Sequence, residues 1–323
     1  MNKTAKIFVA GHTGLVGSAI IQKLIANGFN NILTRTLEKL DLRNQQLVAK
    51  FFSKERPEYV FLAAAKVGGI HANYTEPASF IYDNLMIQTV VVHAAYQYEV
   101  KKLLFLGSSC IYPRECPQPI QEEYLLTGPL ETTNHAYAIA KIAGIELCQS
   151  YNKQYGTQFI CCMPTNLYGP RDNFNPATSH VLPALIAKIY DAHITKKTTI
   201  TVWGTGTPKR EFLFVEDLAD ACLFLMHNYT QSIPINIGTG SDISIKELAE
   251  LIKTIIGYQG TIIFDPKKPD GTPRKLLNVD KIHQLGWHAH TSLIDGIKKT
   301  LAWYIPYHGQ LTRTDTFQSS AHI

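Results

Sequence analysis

The 323-residue chain has no stretch of eighteen or more uninterrupted apolar residues, and its longest apolar runs, such as Phe61 to Ala65, have the length of a strand or a core helix. A membrane-spanning helix is not expected. No run of five or more Lys or Arg is present, and a net charge of +5 over this length is mild, so neither a nucleic-acid footprint nor an acidic-membrane footprint is expected. The six cysteines (Cys110, Cys116, Cys148, Cys161, Cys162, Cys222) form no C-x-x-C pair and read as thiols in a reducing compartment, most of them small core residues. Met1 to Ala5 is short and polar and lacks the apolar core and cleavage site of an export signal, so an unexported, cytoplasmic protein is expected. No internal repeat and no low-complexity tract occurs, and residues 309–323 read as a polar, fraying tail.

The chain does have enough apolar residues, 45%, to bury one large core and a smaller one. Strand-like runs alternate with helical patterns from the start: Lys6 to Ala10, Leu15 to Ala26, Ile32 to Thr34, Gln45 to Ser53 and Tyr59 to Ala63. A long helix from Pro77 to about Tyr98, a strand over Lys102 to Leu106, a helix over Ala136 to Tyr155 and a strand over Phe159 to Met163 continue the pattern. The expectation is an α/β protein with a doubly wound parallel sheet and a smaller α/β lobe. From Tyr168 the texture shifts to Gly, Pro, Asn and Asp, which marks a loop leaving the sheet. Residues 1–170 are expected to form the dinucleotide-binding domain, with 215–240 returning to it, and 171–214 with 241–308 to form a substrate lobe. That lobe would hold a helix after Pro183, strands at Thr199 to Val202 and Thr261 to Phe264, and a helix at Ser244 to Ile256.

Gly11, Gly14 and Gly17 fall between the first strand and the first helix, where a missing Cβ permits a tight turn, close approach of a pyrophosphate and close packing of helix on strand. The amides of that helix start then face an anion. Where an NAD-binding chain places an acid at the end of the second strand, this one has Thr34 and Arg35, and a cation there favours a 2′-phosphate; a solvated surface Arg is the alternative. Tyr137 and Lys141 stand four residues apart on one helix face, and an ammonium beside a phenol is expected to lower the phenol's pKa. Gly107-Ser108-Ser109-Cys110 follows the strand ending at Leu106, at the edge where ligands bind in such sheets. No acidic residue follows Ser109, which argues against a dehydratase.

The stretches Ala63 to Ile70, Leu106 to Pro113, Tyr137 to Gly144, Met163 to Pro170, Trp203 to Pro208, Arg210 to Leu213 and Lys268 to Lys275 resemble the GDP-L-fucose synthases of the extended short-chain dehydrogenase/reductase family, over nearly the whole chain. The resemblance implies NADP(H)-dependent conversion of a GDP-4-keto-6-deoxy sugar by epimerisation at C3 and C5 and reduction at C4; another nucleotide-sugar 4-epimerase or reductase is the alternative. It implies Ser108, Tyr137 and Lys141 as the reductive triad, with Cys110 and His180 exchanging protons during epimerisation. A cysteine filling a strand end and a surface histidine at a helix start are the alternatives for the last two. By the same resemblance the cofactor contacts are Gly11, His12, Thr13, Gly14, Leu15, Val16, Gly17, Arg35, Asp41, Leu42, Leu106, Gly107, Ser108, Ser109, Lys141, Pro164, Thr165, Asn166, Leu167 and His180. Lys188, Trp203, Arg210 and Asp270 would meet the GDP-sugar, and no metal is implied. Thr13 and Leu37 stand where similar chains often carry basic residues, and Lys188 stands where the family has Arg. A homodimer joined through the helices Pro77 to Tyr98 and Ala136 to Tyr155 is also implied.

Overall fold

The structure, a computed structural model, describes residues 1–175, 178–268 and 270–311. The first half runs β1 (Ile7–Ala10), α1 (Leu15–Ala26), β2 (Ile32–Leu33), α2 (Gln45–Glu55), β3 (Tyr59–Leu62), α3 (Ile70–Thr75), α4 (Pro77–Gln97), β4 (Lys102–Leu106), α5 (His135–Tyr155) and β5 (Phe159–Pro164). The second half runs β6 (Asn166–Tyr168), α6 (Val181–Ile194), β7 (Thr199–Trp203), β8 (Lys209–Phe214), α7 (Val215–Asn228), β9 (Ile235–Ile237), β10 (Asp242–Ser244), α8 (Ile245–Ile256), β11 (Thr261–Asp265), β12 (Arg274–Lys275), α9 (Asp280–Gln284) and α10 (Leu293–Leu311). The expected polar tail thus begins inside α10, and the remainder of it lies outside the described residues.

Six strands form one parallel sheet in the order β2-β1-β3-β4-β5-β9. Its central strands are continuous apolar runs because both faces are covered, as parallel sheets require: every residue of β1, β4 and β5 is buried. Helices α1 and α7 pack on each other, as do α4 and α5. Gly144 lets α5 lie close to the sheet, since a Cβ there would stand 2.4 Å from Phe105 Cζ and 2.7 Å from Gln88 Oε1. That close fit fixes the height of the α5 face that carries Tyr137 and Lys141.

A second, smaller core gathers Phe174, Leu185, Ile186, Phe212, Leu248 and Tyr304 among others, from α6, α8, α10 and the short strands between them. The two cores do not follow the expected boundaries throughout: Tyr168 packs in the smaller core and Leu213 in the large one. Leu277, Val279, Ile282 and Trp287, grouped above with the lobe, pack into the large core, where Trp287 Nε1 donates to Asp220 Oδ2 of α7 at 2.9 Å.

Strand β8 joins the two halves by pairing with β6 and β12 in parallel and β10 antiparallel. Its Glu211 is fully buried. Oε1 accepts from the amides of Thr239 (2.6 Å) and Gly240 (2.8 Å), Oε2 from the amide of Leu277 (3.0 Å), and the Glu211 carbonyl accepts from Asn166 Nδ2 (2.8 Å). One carboxylate therefore satisfies three backbone donors from two distant loops, which holds the start of the lobe against the end of the large sheet.

Candidate active site

The glycine turn is built for close approach. Gly11 has φ +83°, and a Cβ on it would stand 2.7 Å from Ala64 N, at the end of β3. A Cβ on Gly17 would stand 2.1 Å from Gly11 O, whereas one on Gly14 would meet nothing nearer than 3.6 Å. Gly14 is the N-cap of α1, no side chain caps it, and the first turn contains no acid. The amides of Leu15, Val16 and Gly17 thus open, with the helix dipole, onto the space beside His12 and Thr13, which fits a pyrophosphate.

At the end of β2, Arg35 lies with its guanidinium 5.1 Å over the Phe51 ring, and Nη2 donates to Glu55 Oε1 at 2.8 Å. The pairing with Glu55 leaves a cation that is held in place rather than waving in solvent. Asp41 is claimed by Arg43, whose Nε and Nη2 donate to it at 3.0 and 2.9 Å while Nη1 reaches Asp83 (2.9 Å). The Arg43 hydrogen bond keeps the Asp41 carboxyl below its ordinary range. Leu42 beside it is buried.

Beyond β4 the chain turns through Gly107, whose amide donates to Cys162 O (2.8 Å), into a short 3₁₀ turn at Ser109–Ile111 capped by Ser108, whose Oγ accepts from the Cys110 amide (3.2 Å). Lys141 is buried, and its Nζ donates to Leu106 O at 2.8 Å and lies 5.8 Å from the Tyr137 ring centroid. Here one expectation is corrected. The Tyr137 phenol is held well above its ordinary value by burial and then by the neighbouring Cys110, with only the Ser108 hydrogen bond pulling it down. Lys141 is itself brought down to about 8 by burial, and its ammonium is engaged by the Leu106 carbonyl rather than by the phenol oxygen. Pro164 ends β5, Thr165 is buried, and Asn166 and Leu167 begin β6, with the Asn166 amide engaged by Glu211 O.

Cys110 is a free, half-buried thiol. Burial alone would push it up, but the Lys275 ammonium, the Ser108 hydroxyl and the Arg210 guanidinium together bring it below its ordinary value. His180 is the N-cap residue of α6; burial of its ring and then Lys275 hold the imidazole below its usual value. Arg210, half-buried on β8, is likewise lowered by burial, opposed by Cys110, Asp270 and Glu131. Asp270 accepts from the Thr205 amide (2.7 Å) and hydroxyl (2.8 Å). Lys188 donates to Thr201 O at 2.6 Å. Trp203 is 62% exposed with Lys268 Nζ 5.1 Å over its ring, so it is no part of either core. Sequence reasoning missed Lys275, which stands in the cavity wall with Cys110, Arg114, Glu131 and Asn134. It ends the stretch Lys268 to Lys275 that carries the family resemblance, but that pattern gives it no role, because its approach to Cys110 spans 165 positions.

Fold and site together define a class. The sequence profile described as the NAD dependent epimerase/dehydratase family matches residues 7–238, and the chain belongs to that family. Within it, this chain is 58% identical over 304 residues to GDP-L-fucose synthase 1 of Arabidopsis thaliana, covering 94% of each chain. It is 52% identical over 309 residues to the GDP-L-fucose synthase of Escherichia coli (strain K12), covering 93% of this chain and 96% of that one. A solved GDP-L-fucose synthetase from Naegleria fowleri bound to NADP superposes with a TM-score of 0.89 at 31% identity, covering 96% of both chains.

Proposed function

We propose that the protein converts GDP-4-keto-6-deoxy-D-mannose to GDP-L-fucose, epimerising C3 and C5 and then reducing C4 with NADPH. The observation that carries this reading is the free thiol of Cys110, whose sulfur accepts from Lys275 Nζ at 3.4 Å and whose amide donates to Ser108 Oγ at 3.2 Å. A plain reductase needs the phenol but not the thiol.

The cofactor, when bound, supplies the hydride for C4. The α1 amides from Leu15 to Gly17 would hold its pyrophosphate, Arg35 would pair with its 2′-phosphate, and Asp41 and Leu42 would serve its adenosine half. Leu106, Gly107, Ser109 and the run Pro164 to Leu167 would hold its nicotinamide half, and Lys141 would meet a ribose hydroxyl. Lys188 and Arg210 neutralise the diphosphate of the GDP-sugar, Trp203 offers an exposed ring to its nucleoside, and Asp270 accepts a hydrogen bond from sugar or base.

The C4 ketone makes the protons on C3 and C5 acidic. Cys110 thiolate takes one, forming S–H, while the C–H electron pair becomes an enolate whose oxygen is held by Ser108 and Tyr137. His180, across the cleft, returns a proton to the carbon from the other side. For the reduction, a phenol whose pKa is raised stays protonated at neutral pH and can give its proton to the C4 alkoxide. We further propose a cytoplasmic homodimer formed through α4 and α5, where the exposed Tyr82 and the half-buried Leu85 and Ile139 are available to a second copy.

Solvent deuterium incorporation tests the assignment. Cys110→Ala and His180→Ala should each abolish deuterium uptake at C3 and C5 while slow reduction of the unepimerised ketone persists. Uptake at the native rate in both variants would remove the proton-transfer roles.

A further inference from the structure

We propose that Lys275 is the positioning residue that makes Cys110 the proton-abstracting base, by holding its ammonium against the sulfur. The proposal rests on the epimerase reading above and adds a residue to it.

Strand β12 has two residues, paired in parallel with β8 so that Arg274 stands opposite Lys209 and Lys275 opposite Arg210. Both residues border the cavity that holds Cys110, but the Arg274 guanidinium is tied to Asp242, its Nε 2.5 Å from Oδ2, which leaves the Lys275 ammonium to meet the sulfur. There its Nζ donates to Cys110 Sγ at 3.4 Å. The backbone that aims it is pinned on its C-terminal side: the Leu276 amide donates to Gln118 Oε1 (2.9 Å) and the Leu277 amide to buried Glu211 (3.0 Å).

The partner is unusual. Other lysines in this chain, such as Lys101 with Glu58 and Lys281 with Glu122 and Glu123, meet carboxylates. Lys275, although half-buried, has no carboxylate within ion-pair distance among the described residues, and its hydrogen bond goes to sulfur. A half-enclosed ammonium facing a neutral thiol is poorly compensated, whereas one facing a thiolate is an ion pair. Tyr137 from α5 and Arg210 from β8 are coupled to the same sulfur, Arg114 and Glu131 line the cavity around it, and His180 feels Lys275 in turn. The one ammonium thus favours thiolate on Cys110 and opposes a second positive charge on His180.

The test is the pH dependence of iodoacetamide alkylation at Cys110 in the purified protein, followed by peptide mapping with half-buried Cys116 as the internal reference. Lys275→Met should raise the Cys110 inflection by about one pH unit or more, slowing alkylation near pH 7 by roughly tenfold, and Lys275→Arg should restore most of it. Deuterium exchange into the 4-keto sugar should fall in parallel in Lys275→Met. An unchanged Cys110 profile in Lys275→Met overturns the proposal, and if GDP binding weakens at the same time Lys275 is a phosphate ligand instead. A shifted profile with native exchange overturns its catalytic consequence. A shifted profile in a protein that never exchanges deuterium supports the Lys275 contact and counts against epimerisation itself.

Discussion

At the scale of single residues, the site depends on charges whose states are set by tertiary surroundings. Tyr137→Phe keeps the ring packed edge-on against Phe80 but removes the proton donor. Reduction should fall by about 10²- to 10⁴-fold while NADPH affinity, read by fluorescence titration, changes little; a loss of affinity equal to the loss of turnover would contradict the role. Arg35→Ala should weaken NADPH by roughly tenfold and NADH scarcely at all, since only NADPH has a 2′-phosphate to meet; equal weakening of both would return Arg35 to a partner of Glu55 alone. The shared face of Tyr137 and Lys141 was legible from a four-residue spacing. The sign of the phenol's shift was not, because burial and the engagement of Lys141 by Leu106 O arise from chain segments far apart in sequence.

At the scale of elements, the N-terminal turn allows a paired comparison. Gly17→Ala would force a Cβ to 2.1 Å from Gly11 O, so the turn must open; stability should drop by about 1 to 3 kcal/mol in urea unfolding, with NADPH binding weakened. Gly14→Ala, whose Cβ would have 3.6 Å of clearance, should leave the urea midpoint nearly unchanged. Comparable destabilisation by both would show that the close contact is not what limits the turn. The long helices and the apolar strands were legible because each repeats its period over enough residues. The helix placed after Pro183 in fact starts at Val181, so that the proline sits in its first turn, where its missing N–H costs nothing. Strands β6, β10 and β12, two or three residues each, show no period at all and exist only through their pairing with β8, directly or on its edges.

At the scale of the molecule, the two cores were foreseeable from composition, but the thread between them was not. Strand β9 completes the sheet beside β5, and Leu277, Ile282 and Trp287 fill the same core from beyond the second lobe. Recombinant residues 1–170, which lack all of these, should therefore show poor protection of sheet amides in hydrogen exchange compared with the whole protein; native-like protection would refute that dependence. Buried Glu211 gives the arrangement a temporal consequence. While the chain emerges from a ribosome its carboxylate waits, first for the amides of Thr239 and Gly240, then for that of Leu277, so the joint between the halves closes only after residue 277 has emerged. The candidate cleft, whose wall includes Lys275, thus takes shape after the glycine turn, and a translation product interrupted before residue 275 would carry that turn without the walls needed to use it.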